Sequence, residues 1–318
     1  MKSASGARPI LLLGPQGETP TLDTALERLG VLGPVATITA GWQELEVEDQ
    51  ALSEHLEGRA RNLELFARTE RLFAEDSEVR ALLHERYDRL RELQELYRLR
   101  LAPQLAACRA LFARTDAASP DDLVGPEIED ALDDVRALDA HHLARTARLD
   151  AEIHGRIGDR GSIRRHTDEL RRQLEDVEAI CIAGGHVGIL LNRLRVYRVL
   201  DLAPALPIVA WSAGAMALAT RIVLFHDSPP QGPGDAEVYA SGLGLVRGVV
   251  PLPHARHRLR LDDAERVALF ARRFAPDFAA ALDGGESLLG TAGGSAWRPC
   301  EHTRRLTATG AVVTGGAA

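Results

Sequence analysis

The segment Pro207-Ile208-Val209-Ala210-Trp211-Ser212-Ala213-Gly214-Ala215 runs from apolar residues through a serine into small ones. A buried strand that ends at a serine and passes at once into a helix is what a nucleophile elbow requires. Small neighbours allow the tight turn, and the hydroxyl then projects at the C-terminal edge of a sheet near the positive end of the helix. The backbone N–H of Ala213 would face the point where an oxyanion develops. A serine that merely caps a helix gives the same string, so two further segments carry weight. Gly184-Gly185 closes another apolar run, Ala179 to Ala183. Glycines there let the backbone approach a ligand and offer a second oxyanion N–H, although a sharp strand-to-loop turn uses them equally well. Forty-two positions after the serine, His254 ends the Gly-rich apolar stretch 242–253 between prolines, and it suits a general base.

Elements able to position these groups can be read around them. Residues 9–13 and 35–39 are apolar enough for buried strands, with a helix predicted over 21–29; strand, helix, strand alternation implies a parallel sheet. The pattern resumes at Ala179, with a helix over 187–200, a strand over 206–211 and a helix from Ser212 to about Leu224. Short strands follow over 242–253, then a helix over 262–274 and terminal strands as far as Val313. Between Glu44 and Val177 nothing reads as a strand. Leu83, Tyr87, Leu90, Tyr97 and Leu101 fall on one helical stripe there, and Pro103 is placed to kink or end that helix. Breaks at Ser119-Pro120-Asp121-Asp122 and Gly125-Pro126 separate it from helices near 127–150 and 163–177. The expectation is therefore an α/β domain, with a mostly parallel sheet flanked by helices, formed by residues 1–44 and 178–318. Residues 45–177 form a large all-α insertion.

Composition narrows the function. The 318 residues carry a net charge of −8, so there is no cationic surplus for nucleic acid or for a polybasic membrane surface. Cys108, Cys181 and Cys300 show no CxxC spacing, and neither a disulfide framework nor a zinc site is implied. The apolar run Ile10 to Leu13 is too short for a signal sequence, and no stretch approaches a membrane span. A cytoplasmic location is expected. His141, His142 and His154 lack carboxylates at ligand spacing and read as solvated histidines, so no metal is implied.

At these three segments the sequence resembles the aspartyl dipeptidase and cyanophycinase family of serine peptidases, whose fold is class I glutamine amidotransferase-like. That family has a Gly-Gly loop, a Gly-x-Ser-Ala-Gly-Ala elbow and a histidine after a Gly-rich strand, in this order. Here they correspond to Gly184-Gly185, Ala210 to Ala215, and His254. The resemblance spans residues 178 to about 261, the N-terminal strands loosely, and the helical segment not at all. It implies Ser212 as nucleophile, His254 as base, and Gly185 and Ala213 as oxyanion donors. The acid lies fifteen to twenty residues beyond the serine, which selects Asp227, with Asp235 and Glu237 as alternatives. It further implies a substrate pocket at Gly184, His186 and Trp211, with Arg258 and Arg260 holding a substrate carboxylate. Ala210 replaces the first elbow glycine, and His186 stands where Asn or Asp is usual. Leu252-Pro253 replaces the polar pair before the histidine, which argues against cyanophycin as substrate.

The chemistry expected is acyl transfer to water on a peptide or amide bond of a short, acidic substrate, without metal or organic cofactor. The competing expectation is an inactive relative whose helical segment binds a partner or builds a homodimer.

Overall fold

The computed structural model describes residues 7–17, 19–114, 121–158, 160–227, 229 and 234–315. Five short strands pair in parallel: β1 (Pro9–Leu13), β2 (Val35–Ile38), β3 (Ala60–Asn62), β4 (Ala179–Ile182) and β5 (Ile208–Trp211). Their spatial order is β1-β5-β4-β2-β3. Strands β1, β2, β4 and β5 are apolar along almost their whole length because the sheet is covered on both faces. Leu11, Val209, Trp211 and Cys181 meet helix α1 (Leu22–Arg28) on one side. Ile10, Ile208, Ala210, Ile180 and Ile182 pack on the other side against α3 (Leu65–Glu75), α6 (Gly161–Glu175) and α7 (Val187–Tyr197). Helix α2 (Gln50–His55) leads into β3.

Two points differ from the sequence expectation here. Residues 45–177 are not wholly helical, since β3 lies within them and extends the sheet beside β2, Val35 facing Ala60. Its three residues, Ala-Arg-Asn, form an edge strand too short and polar to leave an alternating pattern. The helix after Ser212 is also short: α9 (Ala213–Leu218) stops well before Leu224. Residues Arg221–Leu224 instead form β6, antiparallel to β7 (Glu237–Ser241).

The rest of the helical segment is a long hairpin of α4 (Ser77–Phe112) and α5 (Asp121–Ile157). Helix α4 runs straight through Pro103, where a lost backbone bond costs about 3 kcal/mol. Leu101, Leu105 and Cys108 offset this by packing with Val124, Ile128 and Leu132 of α5. Leu83, Leu90, Tyr97 and Leu101 of the expected stripe are buried, whereas Tyr87 is exposed. Of the expected break at 119–122, Ser119 and Pro120 lie outside the described residues, and Pro126 is inside α5.

A second sheet completes the molecule. Strand β8 (Val249–Pro253) runs parallel to β9 (Phe278–Leu282), followed in space by β12 (Arg304–Leu306) and β13 (Val312–Thr314). Between β8 and β9 lie α10 (Ala255–Arg258) and α11 (Ala264–Phe274). Strands β10 (Ser287–Thr291) and β11 (Arg298–Pro299) add antiparallel to the first sheet beside β1, and α8 (Val199–Leu202) follows α7. Glycine 14 is where the two sheets meet: its N–H bonds Glu286, and a Cβ there would lie 1.7 Å from the Asp283 carbonyl oxygen. The C-terminal ends of β1, β4, β5, β8 and β9 thus lead to Gly14, Gly184, Ser212, His254 and Asp283. Parallel sheets place ligands at that end of their strands. Among the described residues no helix is long and apolar enough to cross a membrane.

Candidate active site

Ser212 connects β5 to α9 at φ 50° and ψ −123°, a backbone state that non-glycine residues avoid and that costs about 1–3 kcal/mol. Packing holds it there. A Cβ at Gly214 would meet the Ile182 carbonyl oxygen at 2.3 Å, so α9 can start only with a bare residue against β4. A Cβ at Gly184 would lie 2.7 Å from Ser212 Cβ. The Gly184-Gly185 loop is therefore bare because backbones crowd there, not simply because the chain turns. Gly185 has φ +101°, and a Cβ would meet the Gly41 carbonyl oxygen at 2.2 Å. Relief of the strain makes a direct prediction. Ser212→Gly should be more stable than Ser212→Ala by about 1 kcal/mol in urea unfolding, although both lack the hydroxyl.

His254 follows β8 with φ 58°, its N–H bonded to Leu282 O at 3.2 Å. The turn brings its ring back over the sheet edge, and Ser212 Oγ lies 3.3 Å from Nε2. Both side chains are half-buried. Burial pushes the His254 pKa down, the Arg258 charge lowers it further, and Asp283 opposes them. The ring is thus held in the neutral form that can accept a proton. The N–H groups of Gly185 and Ala213 make no hydrogen bond with another described residue, whereas the His186 N–H is taken by Gly41 O at 2.7 Å.

The structure does not bring the expected acid to the histidine. Asp227 accepts the Arg260 N–H at 2.7 Å and the Arg266 guanidinium at 2.5 Å. Asp235 is held by Arg109 at 2.7 Å and Glu237 by Arg98 at 2.7 Å. All three alternatives after the serine are bound to arginines away from the imidazole. The acid whose charge reaches His254 is Asp283, at the end of the neighbouring strand β9. It accepts the Arg256 N–H at 3.2 Å, pairs with Arg304, and its N–H bonds Glu286 at 2.5 Å. The sequence signal for it was available: an acid directly after an apolar run, Phe278 to Leu282, that pairs with the strand before the histidine.

The expected pocket residues separate. Trp211 points away from the edge, 5% exposed among Leu11, Leu13 and Leu26, and is a core residue. The alternation of β5 dictates this, since residues 209 and 211 share the α1 face. His186 caps α7, its Nδ1 accepting the Ile189 N–H at 3.2 Å. Arg260 faces Asp263 at 3.6 Å. Arg258 has no carboxylate partner among the described residues, and desolvation lowers its pKa. His142 stacks on Tyr97 at 4.3 Å and bonds Gln94, while His154 bonds Asp150 O at 2.8 Å.

Two substitutions test the electrostatics by opposite signs. The acidic limb of kcat/KM follows the free-enzyme pKa of the base. Arg258→Ala removes a neighbouring cation, so that limb should move to higher pH. Asp283→Asn removes the opposing anion, so it should move to lower pH. A pH–rate profile with either shift reversed contradicts the assignment of His254 as base.

A serine on a strained strand-to-helix turn, beside an imidazole at the C-terminal edge of a parallel sheet, is the arrangement expected of a serine-nucleophile hydrolase. Residues 156–290, which contain Ser212, His254 and Asp283, match the model of peptidase family S51. None of the curated proteins matches the chain in sequence. Among solved structures it is similar to a peptidase from an acI-B1 Actinobacterium, with 12% identity over 98% of this chain and 96% of that one, at a TM-score of 0.43. It is also similar to a peptidase E-type protein from Listeria monocytogenes EGD-e, with 11% identity over 92% of this chain and 98% of that one, at a TM-score of 0.43.

Proposed function

We propose that this chain hydrolyses a peptide or amide bond in a short, acidic substrate, with Ser212 as nucleophile and His254 as general base. Asp283 is the positioning residue that opposes the depression of the imidazole pKa. Ser212 Oγ bonds to the carbonyl carbon as its proton passes to His254 Nε2. The Gly185 and Ala213 N–H groups receive the oxyanion. Collapse breaks the C–N bond, and the leaving amine takes the proton from His254. Water then attacks the acyl-enzyme, gives a proton to the same nitrogen, and frees Ser212. The single observation that supports this most is the 3.3 Å separation of Ser212 Oγ and His254 Nε2 at a strained turn.

The acidic preference is supported by Arg258, a guanidinium without a carboxylate partner beside the base. Arginine binds carboxylates through paired N–H donors. Arg258→Ala should raise KM for acidic dipeptides about tenfold or more and leave neutral ones nearly unchanged. Equal effects on both, or no hydrolysis of any short peptide by the parent, would refute the substrate class. A partner-binding role for the helices has less support, because the apolar stripe of α4 packs inward.

A further inference from the structure

We propose that the groove between α4 and the start of α7 is a carboxylate-binding subsite anchored by Arg86, which rests on the peptidase reading and adds a second anionic contact to Arg258. The groove holds about 430 Å³, room for one or two residues of a peptide. It reaches His186, the residue after Gly185.

Its walls carry donors that make no hydrogen bond with another described residue. Arg86 is 4% exposed; its Nε bonds Asp150 at 2.6 Å, while its two Nη groups make no hydrogen bond with another described residue. Asp150 is shared with Arg195, so one carboxylate serves two guanidinium groups and one positive charge is left over. Asn192, 6% exposed, accepts Arg193 through Oδ1 but donates to nothing. Arg193, 7% exposed, has an Nε with no partner. The hydroxyl of half-buried Tyr239 makes no hydrogen bond with another described residue and sits where only glycine allows it, 2.6 Å from a Cβ built at Gly188. Arg193 Nε is fully buried without a partner, and an idle buried donor costs free energy; the Arg86 Nη groups, the Asn192 amide and the Tyr239 hydroxyl are free to donate to an acceptor in the groove. The charges lining the groove are Arg80, Arg86 and Arg193 against Glu70 alone, which is 3.4 Å from Arg193. An acceptor in a net-positive, guanidinium-lined groove is a carboxylate. Its source is either an acidic side chain of the peptide or its C-terminal group.

The test uses the full chain with Ser212→Ala, so that a bound peptide stays intact, and isothermal titration with triaspartate. Triaspartate should bind at least about tenfold more tightly than amidated triasparagine, a difference of about 1.4 kcal/mol. Adding Arg86→Lys should weaken triaspartate about tenfold, and adding Tyr239→Phe severalfold. Triaspartate amide and free triasparagine then separate the sources: whichever carboxylate is removed with loss of affinity is the one held. Tyr239→Phe leaves the Arg86–Asp150 pair in place, so it decides the matter if Arg86→Lys melts early. Undetectable binding at millimolar peptide, or affinities for the neutral and acidic peptides within twofold, would overturn the proposal. Arg86-dependent binding in a chain whose parent resists serine-reactive probes would uphold the groove and remove the hydrolase.

Discussion

Ser212→Ala is expected to lower kcat by about 10⁴-fold or more with little change in KM. The nucleophile acts only in the transition state, and loss of either member of a serine–histidine pair removes nearly the whole covalent route. His254→Ala should be about as severe, and the double substitution scarcely worse than either single one, because the two groups act as a unit. Additive losses would mean that the 3.3 Å contact between them is incidental. The unfolding midpoint of Ser212→Ala should not fall, since the hydroxyl caps nothing and the residue retains its Cβ.

Arg273→Met should be the most damaging change to stability, at about 3–5 kcal/mol in urea unfolding. Arg273 is 3% exposed and holds Asp139 with two bonds, Nε to Oδ2 at 2.8 Å and Nη2 to Oδ1 at 2.7 Å. Its remaining donors reach Ala236 O and the Tyr97 hydroxyl, and that hydroxyl donates to Asp139 while accepting from Val238 N–H. Every group in this network is satisfied, and it ties α4, α5, β7 and α11 together. Removing the arginine leaves Asp139 charged, buried and unpaired. Arg273→Met combined with Asp139→Leu should recover much of the loss, because no charge is then stranded. If the double variant is no more stable than Arg273→Met, side-chain packing and not charge sets the cost. The same network means that the helical hairpin is built into the catalytic body through a shared core.

The parts of the fold legible in sequence are those that local patterning controls. Apolar runs closed by Gly184, Ser212 and His254 marked three ends of parallel strands, and each end lies at the same sheet edge. What escaped depends on tertiary context. Strand β3 is Ala-Arg-Asn, stabilised by its partner β2 and not by its own residues. Spacing from the serine does not identify the acid, because it says nothing about which strand lies next to the histidine. β9 pairs with β8, and that brings Asp283 forward while arginines hold Asp227, Asp235 and Glu237 elsewhere. Trp211 follows the two-residue period of β5 to the α1 face and not to the pocket expected from the resemblance. Arg86 left no signal at all, because a surface-type residue at a helical spacing gives no hint that its guanidinium faces a groove.

The most direct measurement is the intact mass and site of modification after treating the full chain with a serine-reactive phosphonate. The account predicts one adduct, located on Ser212, formed faster above the His254 pKa than below it and absent in Ser212→Ala. An adduct on another residue, or equal labelling of Ser212→Ala, would contradict it.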